Sequence, residues 1–328
     1  MRAVLLDGTG GVEVLSVGEA ERPVPRPDQV LIKVTATSVN RPDIIQRQGN
    51  YPPPPGESEI LGLEAAGTIE ELGTDVEDWQ VGDRVMSLVA GGGYAEYATA
   101  YAGHLIAIPE TLSFEEAACV CETYITAFLN IFLIGGFKDG DSALLHGGGG
   151  GVNTAAIQLC RALAPSSMLI VTASTSKLER VAALGADLVI DYTAQDFVEG
   201  VRAHTGKRGV NLILDHIGAD YLAANMKALA VGGSLMLIGV MGGIKAELNL
   251  AAMMVKRQRI IGSVLRSRPV EEKARIVGEF TKTVVPLLAD RTIEPLVDEV
   301  FPLDRVKEAH ETMERSGHFG KLVLAVAP

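Results

Sequence analysis

The clearest chemistry in this sequence lies in Leu144-Leu145-His146, the five glycines Gly147–Gly151, and the Val152-Asn153-Thr154 that follows. An apolar strand, a glycine turn and an apolar-faced helix is the arrangement in which helix N-terminal amides hold a dinucleotide pyrophosphate. Gly148 and Gly150 fit the first two positions of G-x-G-x-x-G. Asn153 takes the third, where glycine ordinarily permits close helix-strand packing, so an adjusted turn is expected. A purely structural glycine turn is the competing reading. The strand before it and the helix after it favour a ligand, held by Gly148, Gly149, Gly150, Gly151, Val152 and Asn153. The next strand ends at Ala173-Ser174-Thr175-Ser176-Lys177, without the acid that an NAD site places on the ribose about 20 residues past the loop. Ser174, Lys177 and Tyr192 suit a 2′-phosphate, so NADPH is expected over NADH.

Six apolar segments alternate with helical text: Ala143–His146, Met168–Ala173, Leu188–Ile190, Leu212–Asp215, Leu235–Gly239 and Ile260–Leu265. Such alternation predicts a doubly wound parallel sheet. Val152, Ala155, Ala156, Leu159 and Leu163 mark one helical face, and Ser176-Lys-Leu-Glu179 has the form of a capping box. Ile217 and Gly218 follow the fourth strand and Val240, Met241 and Gly242 the fifth, at the carboxyl edge where such sheets bind ligands. His216 and His146 read as strand-end residues, since neither has an evident partner. Leu265, Arg266 and Arg268 follow the sixth strand and are expected to approach cofactor or substrate, solvation of the arginines being the alternative.

The text before Pro109 reads as short β segments broken by Gly and Pro, and strand-like text returns after Arg291 around one helix. Two domains are expected, 1–115 with 290–328, and 116–289. At 328 residues, 47% of them hydrophobic, with 36 glycines, the chain has material for a large core and many tight turns. Its net charge of −12 disfavours nucleic acid and anionic membrane surfaces as partners. The longest apolar run, Ile125–Ile134, is about half the ~20 residues a membrane-spanning helix needs. The N-terminal stretch is too short and too soon acidic for a signal peptide, so a cytoplasmic location is expected. Cys119, Cys121 and Cys160 cannot make a four-cysteine zinc lobe or a disulfide framework and read as buried thiols.

Several stretches resemble one family: Asn40-Arg-Pro-Asp43, Gln46-Arg-Gln-Gly-Asn-Tyr51-Pro-Pro-Pro-Pro-Gly56, Ile60-Leu-Gly-Leu-Glu64-Ala-Ala-Gly67, Val81-Gly-Asp-Arg84, Gly91–Gly93, Ala155–Leu159, Val210–Asp215 and Leu265-Arg-Ser-Arg268. The resemblance is to the zinc-independent quinone oxidoreductases of the medium-chain dehydrogenase/reductase superfamily, nearest the p53-inducible group. It implies a Rossmann domain plus a β-rich GroES-like catalytic domain, a homodimer joined near Ile260–Leu265, and hydride transfer from NADPH to a quinone or activated alkene. Zinc-using relatives carry Cys and His where this chain has Asn40 and Leu63, so no metal is expected. Family position implies that Asn40, Asp43 and Tyr51 line the nicotinamide end, that Thr126 reaches the cofactor, and that Lys321 contacts it. Tyr51 is either a proton donor or a stacking aromatic, and solvent could supply the proton instead. For Asp43 a surface pair with Arg41 or Arg47 is the alternative. An enoyl-thioester or alkenal reductase is the rival enzyme, although no basic cluster beyond Arg41 and Arg47 awaits a pantetheine arm. A scaffold like the lens crystallins, with possible RNA contact, is the rival of another class.

Overall fold

The computed structural model describes residues 1–326, which divide into two compact units: 1–125 with the segment from Leu265 onward, and Thr126–Val264. Among the described residues no helix is long and apolar enough to cross a membrane.

The first unit contains β1 (Arg2–Leu6), β2 (Leu15–Glu19), β3 (Gln29–Val39), α1 (Arg41–Arg47), β4 (Glu64–Leu72), β5 (Arg84–Leu88), β6 (Tyr97–Tyr101), β7 (Leu105–Ala107) and α2 (Phe114–Ala117). Helix α3 (Cys121–Phe128) spans the division. In the second unit β8 (Ser142–His146), α4 (Gly151–Leu163), β9 (Met168–Ala173), α5 (Leu178–Ala183), β10 (Leu188–Asp191), α6 (Phe197–His204) and β11 (Val210–Asp215) come first. Then follow α7 (Ala219–Ala228), β12 (Leu229–Leu237), α8 (Leu250–Lys256) and β13 (Arg259–Gly262). The chain ends in the first unit with α9 (Val270–Ala289), β14 (Val297–Pro302), α10 (Val306–Arg315) and β15 (Lys321–Ala325).

In the first unit one sheet runs β14-β15-β3-β4-β5-β7, with β6 also paired to β3. Alternating Val30, Ile32 and Val34 on β3 pack with Ile69, Val85, Tyr94, Phe301, Leu322 and Leu324 in one core. At Gly67 a Cβ would stand 2.0 Å from the Lys33 carbonyl, so β3 and β4 can approach this closely only because that residue has no side chain. Helix α9 buries Lys273, Ile276, Val277, Phe280, Val284 and Leu288, the three-to-four spacing of one helical face. His104 Nε2 lies 3.0 Å from the Val270 carbonyl and Thr111 Oγ1 donates to the Ala289 carbonyl, so both ends of α9 are bonded into the first unit. Residues 116–125 and 265–289, expected in the nucleotide domain, therefore divide with the first unit: the apolar stripe of α9 identifies a buried face but not its partner.

The second unit is a parallel sheet of order β10-β9-β8-β11-β12-β13. Its first strand, β8, pairs with both β9 and β11. Strand order thus reverses at β8, which makes its carboxyl end the topological switch point of a doubly wound fold. All six expected strands form, but the last ends at Gly262 rather than Leu265. The Ser176–Glu179 capping box does not form. Instead, Thr175–Lys177 make a 3-10 turn, and α5 begins without a side-chain cap.

Candidate active site

Gly147 leaves β8 with φ +76°, and a Cβ there would meet His216 at 2.7 Å. At Gly148 a Cβ would stand 2.4 Å from Val171 Cγ1 and 3.0 Å from Val181, so this turn lies flat on β9 and α5 only as glycine. Gly150 caps α4 and its carbonyl takes the Asn153 and Thr154 amides, so Gly151 and Val152 are the first-turn amides left without an intrahelical acceptor, at the partially positive end of the helix. That cradle suits a dinucleotide pyrophosphate. Asn153 is buried at the third-glycine position, and its Nδ2 donates to the His146 carbonyl at 2.6 Å. The departure from the motif therefore ties the helix start to the strand end. Asn153 Oδ1 has no partner and, being an acceptor, gains none from phosphates.

A buried network sets the ends of the central strands. Gly147 N donates to Thr172 Oγ1 (3.2 Å), which bonds His146 Nδ1 (3.1 Å). His146 Nε2 bonds Asn225 Oδ1 (2.8 Å), and Asn225 Nδ2 donates to Asp215 Oδ2 (3.1 Å). Burial pushes the His146 imidazole down to about 3, so it is neutral and structural, as expected of a strand-end residue. The Ile217 and Gly218 amides donate to Asp215, while the Met241 and Gly242 amides donate to the carbonyls of His216 and Ile217. Ile217, Gly218, Val240, Met241 and Gly242 are thus joined at the carboxyl ends of β11 and β12, with Val240 and Met241 about half exposed. Thr126 lies farther up the chain in this unit, its carbonyl accepting from Asn130 Nδ2.

At the end of β9, Ser174 begins the 3-10 turn that contains Lys177, and Tyr192 follows β10 with 46% exposure. An acid that strand-end reading overlooks stands one strand over. Asp191 pairs in register with Ala173 and accepts from Thr175 Oγ1 (2.5 Å), Thr193 N and Thr193 Oγ1. Those hydroxyl bonds, the Thr175 bond first, hold its pKa below the usual aspartate value.

In the first unit the candidates gather around two buried carboxylates. Glu64 Oε1 accepts from Ser38 Oγ (2.5 Å), Asn40 Nδ2 (2.9 Å) and Lys321 Nζ (3.1 Å), and Oε2 accepts from Glu122 N (2.9 Å). Lys321 also donates to Val39 O and Asn40 Oδ1. Its three protons are shared among these acceptors, and Lys321 is the counter-ion of Glu64. Asp43 is fully buried and accepts from Asn40 N (2.8 Å), Gly62 N (3.1 Å) and Tyr94 OH (3.2 Å). Burial raises it to about 6 against those hydrogen bonds. A surface pair with Arg41 or Arg47 is thereby excluded. Arg47 is itself buried and bonds Glu314 and His310 Nδ1, while His310 Nε2 faces Tyr94 OH at 3.3 Å. Arginine can only donate, so His310 Nδ1 accepts and Nε2 carries the proton.

Tyr51 is half-buried, with Arg266 5.2 Å over its ring and Arg266 Nη1 donating to the Tyr51 carbonyl (3.3 Å). Its hydroxyl is pushed up to about 12, by burial first and by Glu122 second, which favours stacking over proton donation. Arg268 forms an ion pair with Glu272 four residues on. The start of α9 thus supplies a partner for the Arg268 guanidinium. Leu265 is buried. Glu64, Tyr94, Glu122 and His310 went unread. The available signal for Glu122 was an acid inside the apolar stretch Ala117-Ala-Cys-Val-Cys-Glu-Thr-Tyr-Ile.

Residues 26–110 match the alcohol dehydrogenase GroES-like domain, and residues 184–324 match a zinc-binding dehydrogenase family. Human quinone oxidoreductase is 33% identical over 99% of this chain and 97% of its own length. Escherichia coli quinone oxidoreductase, solved complexed with NADPH, superposes with a TM-score of 0.90 at 26% identity, covering 99% of this chain and 100% of that one. The CurK enoyl reductase superposes with a TM-score of 0.88 at 25% identity over 99% of each chain. The chain belongs to the quinone oxidoreductase family of the medium-chain dehydrogenase/reductase oxidoreductases.

Proposed function

We propose that this protein is an NADPH-dependent quinone oxidoreductase. The observation that carries the reading is the glycine cradle at the switch point, where a side chain on Gly148 would collide with Val171. A bound reduced nicotinamide supplies the hydride. The protein's part is to bind, orient and keep water out. Gly148 to Asn153 hold the pyrophosphate, Ser174, Lys177 and Tyr192 the adenosine end, and Thr126, Ile217, Gly218 and Val240 to Gly242 the nicotinamide half. Asn40 and Asp43 position the loop that carries Tyr51, and Tyr51 stacks on the flat acceptor. The donor set supports a reaction without metal: Asn40 is engaged by Glu64 and Lys321, and Leu63 offers no ligand atom.

Quinone is favoured over an enoyl-thioester because the two cations nearest the Tyr51 loop in sequence are already engaged. Arg41 bonds Met313 O and Ser316 Oγ, and Arg47 bonds Glu314. The enoyl-reductase reading draws on the likeness to CurK, and the Asp191 carboxylate favours NADH as the competing nucleotide. We also propose a homodimer through the open edge of β13, beside which α8 buries no residue and leaves Leu250, Met254 and Val255 exposed. Three free buried thiols support a cytosolic location.

Fluorescence titration with NADPH and NADH, followed by oxidation with a quinone and with an enoyl-thioester, tests the proposal. Saturable NADPH binding with quinone-dependent turnover is expected. Faster thioester turnover would promote the rival enzyme, and failure of both nucleotides to bind would leave a scaffold.

A further inference from the structure

Arg266 is a buried cation, only 6% exposed. Its Nε donates to the Ala90 carbonyl (2.8 Å) and Nη1 to that of Tyr51 (3.3 Å). Its Nη2 is buried with no hydrogen-bond partner, and among the described residues no carboxylate forms an ion pair with it. Lys273, also buried, donates to the Arg266 carbonyl. A guanidinium does not lose its charge at any ordinary pH, so burying one with a donor unsatisfied is costly unless something brings an acceptor. The Tyr51 ring beneath it supplies a face for a flat molecule.

An acid the mechanism has not used is electrostatically coupled to Tyr51, Arg266 and Lys273. Glu122 lies in the first turn of α3, its amide donates to Glu64 Oε2, and it keeps a partly accessible surface. Burial first and the Glu64 charge second raise its carboxyl to about 8, Asp43 adds to the rise, and Lys321 and Arg266 oppose it. Once ionised, its carboxylate raises both the Tyr51 hydroxyl and the Lys273 ammonium. Burial beside Glu64 therefore favours the protonated form of Glu122. An acid near the working pH transfers a proton far better than a phenol near 12.

We infer that Arg266 and Glu122, with Tyr51 as the stacking face, form the subsite for the acceptor's oxygen, a role that rests on the quinone-reductase reading. The hydride brings two electrons to the quinone, the nicotinamide is oxidised, and the quinone becomes a hydroquinone monoanion. Arg266 Nη2 donates to the oxygen on which that charge gathers. The O–H bond of Glu122 breaks, its proton completes the hydroquinone, and the carboxylate left behind regains a proton from water. The subsite thus selects acceptors that turn into an oxyanion on reduction.

The test compares wild type with Glu122→Gln, Glu122→Asp and Arg266→Met, using 1,4-naphthoquinone and reduced nicotinamide across pH 6 to 10. Wild-type kcat/KM is expected to fall above about pH 8. Glu122→Gln should be about 10²-fold slower at pH 7 and lose that inflection, while Glu122→Asp keeps an inflection and so separates loss of the acid from loss of the fold. Arg266→Met should lose about 10²-fold with the inflection retained. Independently of turnover, wild type should bind 4-nitrophenol as its coloured phenolate and Arg266→Met should not. If wild type turns over and Glu122→Gln retains both the rate and the inflection, the acid role is overturned while the quinone reading stands. Equal phenolate binding by wild type and Arg266→Met overturns the oxyanion role. Absence of any nicotinamide-dependent quinone reduction by wild type is failure of the underlying reading, and the transfer step falls with it.

Discussion

Replacing Lys321 by Met separates a structural cation from a cofactor ligand. The side chains of Lys321 and Glu64 are 5% and 1% exposed and lie 3.1 Å apart. Removing the ammonium leaves Glu64 with the Ser38, Asn40 and Glu122 donors but without its counter-ion, and strips Val39 O and Asn40 Oδ1 of a partner. Breaking one side of a buried pair costs about 3–5 kcal/mol. For a unit of this size the melting temperature should drop by roughly 10 °C. In Glu64→Gln/Lys321→Met both charges are gone, and what remains lost is about one or two neutral hydrogen bonds, near 1–2 kcal/mol. The double variant should therefore be more stable than Lys321→Met alone. Urea and thermal unfolding followed by circular dichroism read both numbers, and nucleotide titration of each folded variant should stay within about threefold of wild type, since every Lys321 proton is used internally. A cost below about 1 kcal/mol, or an affinity loss of tenfold or more in a variant of unchanged stability, would refute the reasoning and return Lys321 to the cofactor site.

Gly148→Ala should weaken nucleotide binding at least about tenfold, because its Cβ meets Val171 at 2.4 Å and the turn must lift off the sheet. Gly150→Ala, whose nearest neighbour is 3.5 Å away, should fold normally, which isothermal titration and melting curves on the pair would show. His146 and His310, both held down to about 3 by burial, should show ring resonances that do not move in NMR spectra between pH 8 and 4.5. Their folded pKa lies below the unfolded value, so the unfolded chain binds more protons and each removes about 1.4 kcal/mol of stability per pH unit as pH falls below ~6.5. Ile261→Lys places a charge on the open edge strand β13 and should shift any dimer towards monomer in light scattering; an unchanged mass would move the contact elsewhere.

Local order determines the elements, so the sequence alone carried most of them. The alternation of apolar runs and helical faces placed all six strands of the second unit, and the glycines after β8 marked the cradle, since dihedral freedom and side-chain periodicity act over a few residues. The Asn153 departure was visible too, but its use was not, because the His146 carbonyl it holds becomes a partner only when α4 lies against β8. The partners of Arg268 and Lys321 were not legible in the sequence. One partner, Glu272, is four residues away, and the other, Glu64, is 257 away. Asp43 meets Tyr94 across 51 residues and Tyr94 meets His310 across 216. The proton on Glu122 and the unsatisfied nitrogen of Arg266 belong to the same class of fact. Burial and charge compensation are sums over neighbours in space, and chain folding alone decides which neighbours those are.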